Sequence, residues 1–548
     1  MADKTVDRKL ARFDKLKSDR KVLDEEYDDL ARLLHPTRLG FNTDITKGGS
    51  RTDDSYDSTS AQARWQLARS TEGFVTPKGG KLWLKIELEN EDLMEDHDVR
   101  EWLEDATNKT HKAIYTPRAR FHSAAESMYD DVAAFGSAPI SMFERYDEDG
   151  VPRVAFQSLH LKNVYWALNE WGEQDTYYVC YERPAINAAN QYGFDNLGKS
   201  AQDLLKNDKL DAPVKIMHVV EPRYGRNYER QDNLNMPFAS FAIDMTDKKL
   251  IEESGFPELP YNVLTWGEVA GEPWGWAPGR LLLPDIKMLN QQARTTLEVG
   301  HFTARPPHFI PHEGVIDFSA LHPGGWVHYD AASAAQNGGR PPIFPFVSGA
   351  NYPISREMTQ DTRDRIWQGF LQSVLNLPVD APRMTATEII ERKEEMIRIV
   401  GPVFGKMETN TEKIVRRVFW VEYRAGNLRP VPQQLQGQKL KFSVNSPMTD
   451  VRKQIEAASV SRVVEIIGPL AQSFPQMMDN YDLDEIARDV GEAMMPVQWV
   501  RSRDEVETMR AQRAEAEQEA AAREQSMQVS EMARNAAPML KAIEGGAG

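Results

Sequence analysis

The chain has 548 residues, 41% hydrophobic and 27% charged, so it exceeds what one core organises and reads as two or more soluble domains. It contains no run of about 18 apolar residues, which argues against a membrane span, and its single cysteine, Cys180, excludes an intrachain disulfide or a cysteine–zinc cluster. The net charge of −17 argues against a sequence-specific DNA binder gripping many phosphates; an acidic wall beside DNA, or simple solubility, fits it instead.

In chain order, residues 8–35 predict a helix, because Leu10, Phe13, Leu16, Leu23, Tyr27, Leu30 and Leu34 recur at helical spacing and His35-Pro36 stops it. The first residues lack the apolar stretch of an export signal. A polar loop leads to a second helix over 58–72, with Ala61, Trp65 and Ala68 on one face. "KLWLKIEL" predicts a strand. From 131 to 184, short runs such as "PISMFERY", "VPRVAFQSL" and "TYYVCYE" predict a β-rich patch, and "PVKIMHVVEPR" (213–223) a further strand. "EPWGWAPG" reads as a rigid bend packed at a junction, since no basic residue interleaves its tryptophans as a base-stacking platform requires.

A helix follows to about residue 303, with Pro284 and Asp285 suited to its first turn and a stripe of Ile286, Leu289, Ala293 and Leu297. Residues 304–353 then hold eight prolines and six glycines with strand-like "GVIDF" and "GGWVHY". A second helix starts near Ser355, with Met358, Thr362, Ile366, Phe370 and Val374 at i,i+4. A turn-rich insert is thus carried on two helices, each roughly 30 Å long at about 1.5 Å per residue.

"LPVDAPRMTATEIIERKEE" (377–395) follows the second helix. Pro378 and Pro382 hold a loop out of helix, and Thr385 with Glu388 form a capping box that opens the next one. Gly401-Pro402 reads as its stop, with another helix over Val403 to Ala425. "KLKFSVNSP" predicts a strand, and 449–494 more helix broken at Pro469, Pro475 and Tyr481-Asp482. Beyond Trp499, an Ala/Glu/Arg/Gln-rich helix former has too little apolar surface to fold alone and is either solvated or needs copies of itself.

Chemistry is sparse. "GFVTPKGGKLW" fails as a phosphate loop, because six residues separate Gly73 from Gly80 and Leu82 follows Lys81. His308 and His312 have helical zinc spacing, but Pro306, Pro307 and Pro311 preclude the helix and no Glu follows His308. His322 and His328 add no spacing logic, and the acidic clusters at 24–29 and 89–98 read as solvated faces. No G-x-S-x-G elbow occurs, and Cys180 has no histidine nearby in sequence. We expect no catalytic residues, no metal site and no cofactor.

Ordered landmarks nevertheless carry a resemblance. "YDDLARLLHP", "YDSTSAQARWQLARSTEGFVTP", "WLKIEL", "DVAAFGSAPISMFE", "PYNVLTWGEVAGEPWGWAPGRLLLPDIKMLNQQARTTLEVGHFTARPP" and "RMTATEIIERKEE" together, over roughly residues 5–430, resemble the portal (head-to-tail connector) proteins of short-tailed double-stranded DNA bacteriophages. Trp274-Gly275-Trp276 departs from the family's more usual tyrosine-glycine pair. The resemblance implies a mainly helical α+β portal fold in a ring of about twelve copies. Its parts would be a wing (1–277), stem helices (278–303 and 354–375), a clip (304–353), a tunnel loop, tunnel helix and return to the wing (376–445), and a crown with a C-terminal barrel helix (446–548). Neighbouring copies would supply the surface that the C-terminal helix lacks, and the ring's acidity would let DNA slide with little adhesion. The implied role is the channel at one capsid vertex, through which double-stranded DNA is packaged and ejected. Implied partners are the large terminase ATPase, the major capsid and scaffolding proteins and the tail adaptor or tube proteins, with no membrane. The place is the virion, after assembly in the host bacterial cytoplasm. Arg383, Met384, Thr385, Arg392 and Lys393 become the candidate DNA-channel residues, with Thr385 and Glu388 as the helix cap; an ordinary Glu388–Arg392 helix-surface pair is the competing account. A capsid scaffold or tail adaptor without its own channel is the alternative.

Overall fold

A computed structural model describes residues 2–42, 46, 48–78, 82–90, 93, 96–146, 150–230, 232–311, 322–329, 344–345, 352–375 and 386–444, then 460, 463, 467, 481–494, 501, 505–523 and 527. The chain divides into two compact units, Met1–Met448 and Thr449–Gly548.

The first unit opens with α1 (Ala2–Leu33) and α2 (Thr59–Val75), close to the helices expected there. Of the α1 stripe, Phe13, Leu23, Tyr27 and Leu30 are buried, as the spacing requires. Strand β1 (Leu84–Leu88) alternates, and its Leu84, Ile86 and Leu88 stand opposite Val444, Phe442 and Leu440 of β13 (Leu440–Val444), far away in sequence. Helices α3 (His97–Ile114) and α4 (Phe121–Phe135) follow. The patch expected to be β-rich from 131 therefore starts six residues later, at Ser137, once Gly136 ends α4 in the left-handed region.

Strands β2 (Ser137–Tyr146), β3 (Pro152–Ser158) and β9 (Tyr261–Thr265) form one antiparallel sheet with β2 central. Strands β4 (Val164–Leu168), β5 (Gln174–Pro184), β6 (Pro213–Pro222), β7 (Phe238–Asp244) and β8 (Lys249–Phe256) form a sequential antiparallel meander. Short helices α5 (Ala185–Tyr192) and α6 (Lys199–Lys206) cover part of it. Polar side chains join the two sheets internally. Gln174 donates to the Val263 carbonyl and accepts from its N–H, acting as a peptide unit between β5 and β9. His218 bonds Tyr261 at 2.6 Å and Ser240 at 2.8 Å, and Tyr261 also meets the Tyr181 hydroxyl. Burial pushes the His218 imidazole down to about 4, so it sits neutral in this network.

Helix α7 (Pro278–Leu281) leads into α8 (Leu283–Ala304). The insert contributes β10 (His308–Pro311), β11 (Trp326–Tyr329) and β12 (Phe344–Pro345), with β10 between a parallel and an antiparallel neighbour. "GGWVHY" thus holds a strand, whereas "GVIDF" lies outside the described residues. Helix α9 (Tyr352–Gly369) and one turn, α10 (Gln372–Leu375), complete the stalk. The second stalk helix is therefore not continuous to Leu375: Leu371 takes φ +59, which breaks the hydrogen-bond ladder behind Phe370.

Helix α11 (Ala386–Arg424) corrects a second expectation. Gly401-Pro402 does not stop it; Pro402 lies inside one 39-residue helix. An interior proline costs roughly 3 kcal/mol. Met396 and Val400 before it, and Phe404, Met407, Ile414, Val415, Val418 and Phe419 after it, are buried in one core, and that burial outweighs the lost backbone bond. In the second unit, α12 (Leu483–Met494) starts near the Tyr481-Asp482 turn, and residues 505–523 are helical with no buried side chain. The turns expected at Pro469 and Pro475 lie outside the described residues.

Candidate functional site

The bend before the stalk is set by glycine. Gly136, at φ +83, and Gly275 approach so closely that a Cβ on Gly275 would stand 1.9 Å from the Gly136 oxygen. The Gly275 N–H donates to Ser137 Oγ at 2.8 Å. Arg280, buried, donates to the Gly275 carbonyl and, through Nε, to Glu26 of α1, with its guanidinium 4.4 Å from the Trp276 ring. "EPWGWAPG" is thus the joint expected, binding α1, β2 and the stalk root together.

The two stalk helices are rooted at one end and exposed at the other. Leu283, Ile286, Leu289 and Ala293 are buried on α8, but Leu297 is half exposed, so the apolar stripe ends one turn earlier than its spacing implies. On α9, Thr362 and Ile366 are buried, as is Phe370 just beyond it, while Met358 is exposed; the side chain of Val374 lies outside the described residues. Residues 54–57 strap both helices. Asn290 of α8 accepts from the Tyr56 N–H and donates to the Asp54 carbonyl. Arg363 of α9 pairs with Asp57 at 2.7 Å. Burial alone would raise the Asp57 carboxyl, but hydrogen bonds from Thr59 and the Arg363 guanidinium hold it below the usual range. Arg365 and Asp285 add an ion pair between the helices at 3.6 Å.

Beyond Leu371, the loop residues Arg383, Met384 and Thr385 lie outside the described residues, as do the side chains of Glu388 and Lys393. Arg392 is described and exposed, together with Glu395, Arg398 and Ile399 on the first turns of α11. The remainder of α11 is clamped. Arg417, 1% exposed, donates to the carbonyls of Met142 and Glu258 and to the Glu258 carboxylate, and Arg424 binds the same carboxylate. Glu422 accepts from Arg153 and Asn427. Sequence reading missed Asp57, Asn290, Arg280 and Arg417, because each is fixed by a partner more than a hundred positions away, Arg363, Asp54, Glu26 and Glu258 in turn. Only the Gly136 and Gly275 pair had a visible signal, in glycines beside large side chains.

Other sequence candidates fall into packing roles. His308 stacks on Trp326 with ring centroids 5.1 Å apart, and His322 faces the Pro323 carbonyl. His312 and the His328 side chain lie outside the described residues. Cys180 is partly buried in β5, and burial pushes its thiol up to about 11, the opposite of a reactive thiolate. Among the described residues no group of three or more His, Cys, Asp or Glu side chains could hold a metal, and no helix is long and apolar enough to cross a membrane.

Comparison with known proteins decides the family. The model of the bacteriophage head to tail connecting protein family matches residues 7–495. The chain belongs to that family. This head-to-tail connector is 26% identical over 533 residues to a probable portal protein of Bordetella phage BPP-1, covering 95% of this chain and 93% of the relative. It is also 26% identical over 493 residues to the portal protein of Salmonella phage epsilon15, covering 88% and 86%. The resemblance read from the ordered landmarks is thereby borne out. Among solved structures, a chain of the virion of a native gene transfer agent particle is similar at 12% identity, covering 75% of this chain and 86% of the other, with a TM-score of 0.33. Similarity at that level carries no argument about this connector.

Proposed function

We propose that this connector is the portal subunit of a short-tailed phage. Copies of it would form a ring of about twelve around the channel through which double-stranded DNA enters and leaves the head. The observation that carries the reading is the family match over residues 7–495, joined to two relatives named portal proteins that are covered nearly end to end. In this reading residues 1–277 are the wing, 278–303 and 354–375 the stem, 304–353 the clip, 376–445 the tunnel loop and helix with the return to the wing, and 446–548 the crown and barrel. The clip receives the packaging ATPase and later the tail proteins, and the chain itself has no catalytic role. Arg383, Met384, Thr385, Arg392 and Lys393 are the channel-facing candidates. Support comes from the exposed Arg392 on the first turns of a helix whose remaining length is locked into the core.

Negative-stain imaging of the purified full chain tests the ring: we expect annular particles with an axial hole wide enough for a duplex. Monomers at every concentration and salt condition overturn the proposal, and closed rings lacking such a hole turn it toward a scaffold or tail adaptor. Replacing residues 377–384 with a flexible linker tests the loop separately. Rings are expected to form but DNA packaging to fail; normal packaging overturns the tunnel-loop assignment.

A further inference from the structure

We infer that a basic groove on the first unit, away from the stalk and from the exposed start of α11, holds the phosphodiester backbone of duplex DNA. Two concavities of about 880 and 830 Å³ adjoin there and share Arg118, Arg145 and Ala155. Lys109 and Lys112 on α3, Arg118 and Arg120 in the following turn, and Arg145 and Arg153 on β2 and β3 line them. The local balance opposes the chain's net charge of −17. Of the three lining acids, Glu422 is already engaged by Arg153 and Asn427, and Glu144 by Arg417 and Arg424, which leaves Glu252 against Arg183 and the six cations above. Lys112, Arg120 and Arg145 have no ion-pair partner among the described residues.

The register sharpens the point. Arg145 stands directly opposite Arg153 in the β2–β3 ladder, and Glu422 pairs with Arg153, which leaves the Arg145 guanidinium as the cation of the two without a carboxylate. The same groove presents Thr116, Ser123, Ser127 and Gln157, the neutral donors that accompany Arg and Lys at phosphate oxygens. Tyr146 is the one exposed large apolar side chain among its described lining residues. A protein partner would want a buried aromatic or aliphatic centre. Phe143, Tyr181, Tyr192 and Phe256 also line the second concavity, but they are half-buried, and the exposed groups are cations, hydroxyls and amides, which fit a sugar–phosphate backbone; without base-edge contacts the grip is independent of sequence.

The test uses the full chain and two fluorescent 30-bp duplexes of unrelated sequence, read by anisotropy across salt. Binding is expected to be equal for both, with a log–log salt slope of about −3 to −4 for roughly four phosphate contacts, or roughly a 100-fold loss between 50 and 200 mM. The variant K112E/R118E/R145E is expected to bind at least about tenfold more weakly with a slope shallower by about 3. Its circular dichroism and particle size, matched to wild type, keep the comparison fair. A control reversal of three exposed lysines elsewhere, K199E/K206E/K209E, is expected to change affinity less than about twofold. Equal loss in that control, unchanged binding in the groove variant, or no binding by wild type overturns the proposal. Displacement of DNA by poly-glutamate at equal charge concentration also overturns it, and marks the groove as a seat for an acidic protein.

Discussion

Gly275→Ala concentrates the packing argument in one methyl group. Its Cβ would lie 1.9 Å from the Gly136 oxygen and 2.8 Å from the Gly136 carbonyl carbon, so two stretches of backbone must separate by about 1 Å or more. Neither side can yield by a rotamer change, since both are main chain. Overpacking of this kind costs about 1–3 kcal/mol. The separation also loosens the bond from the Gly275 N–H to Ser137 and the one from Arg280 to the Gly275 carbonyl, at about 1 kcal/mol each. A loss of about 3–5 kcal/mol is expected. Urea unfolding followed by tryptophan fluorescence measures it, because Trp274 and Trp276 flank the substitution. Amide exchange in Ser137–Tyr146 localises the effect. Gly271→Ala is the control: Gly271 sits at φ +82 with nothing within 4 Å of an added Cβ, so only backbone strain of about 1–2 kcal/mol applies. If Gly275→Ala is no worse than Gly271→Ala, the backbone contact does not hold the joint and the reasoning fails.

Acid stability follows from the buried histidines. Burial holds His218 and His160 down to about 4, while unfolded imidazoles protonate near 6.5, so between these values the unfolded chain binds the extra protons. Stability is full above about pH 6.5 and falls as pH drops toward 4, by about 3 kcal/mol for His218; urea midpoints that stay flat over that window refute this. The effect of Arg417→Met is expected to be a loss of about 3–5 kcal/mol, because carbonyls and a carboxylate lose a nearly buried donor, and Arg417→Lys is not expected to rescue it. A chemical-denaturation loss below about 1 kcal/mol would show the clamp on α11 to be dispensable. Gly300→Ala, within the exposed half of α8 and facing open space, is expected to slow amide exchange over 295–304 by about 0.5–1 kcal/mol; faster exchange would mean an unseen contact.

Much of the local structure was legible in the residues. Apolar spacing located α1 and α8, whereas the stripe expected on α2 only partly matches its buried face, since Trp65 is exposed and Ala63 and Leu67 are buried. The prolines and glycines of 304–353 marked the break between α8 and α9, whose described part holds three short strands. Failures cluster where distant surfaces outvote a local signal. Pro402 says stop, yet burial on both sides of it carries α11 through. Leu371 looks like a helix residue, yet it adopts a left-handed conformation where the stalk meets the core. Leu297 continues a stripe, yet it is half exposed.

Family membership was readable because it rests on the order of short segments, and order is a property of the chain alone. Fold class and the stalk-and-insert plan were readable for the related reason that periodicity and turn chemistry act over a few residues. Only tertiary structure decided how β1 finds β13, how residues 54–57 strap the stalk, and how Arg280 and Arg417 reach their partners. Those contacts join residues tens to hundreds of positions apart, and a charged side chain in sequence carries no label of the carboxylate it will meet. The basic groove belongs to the same class. Its cations are scattered over 109–153 in an acidic chain, and folding, which sets α3, a turn and two strands side by side, makes a surface of them.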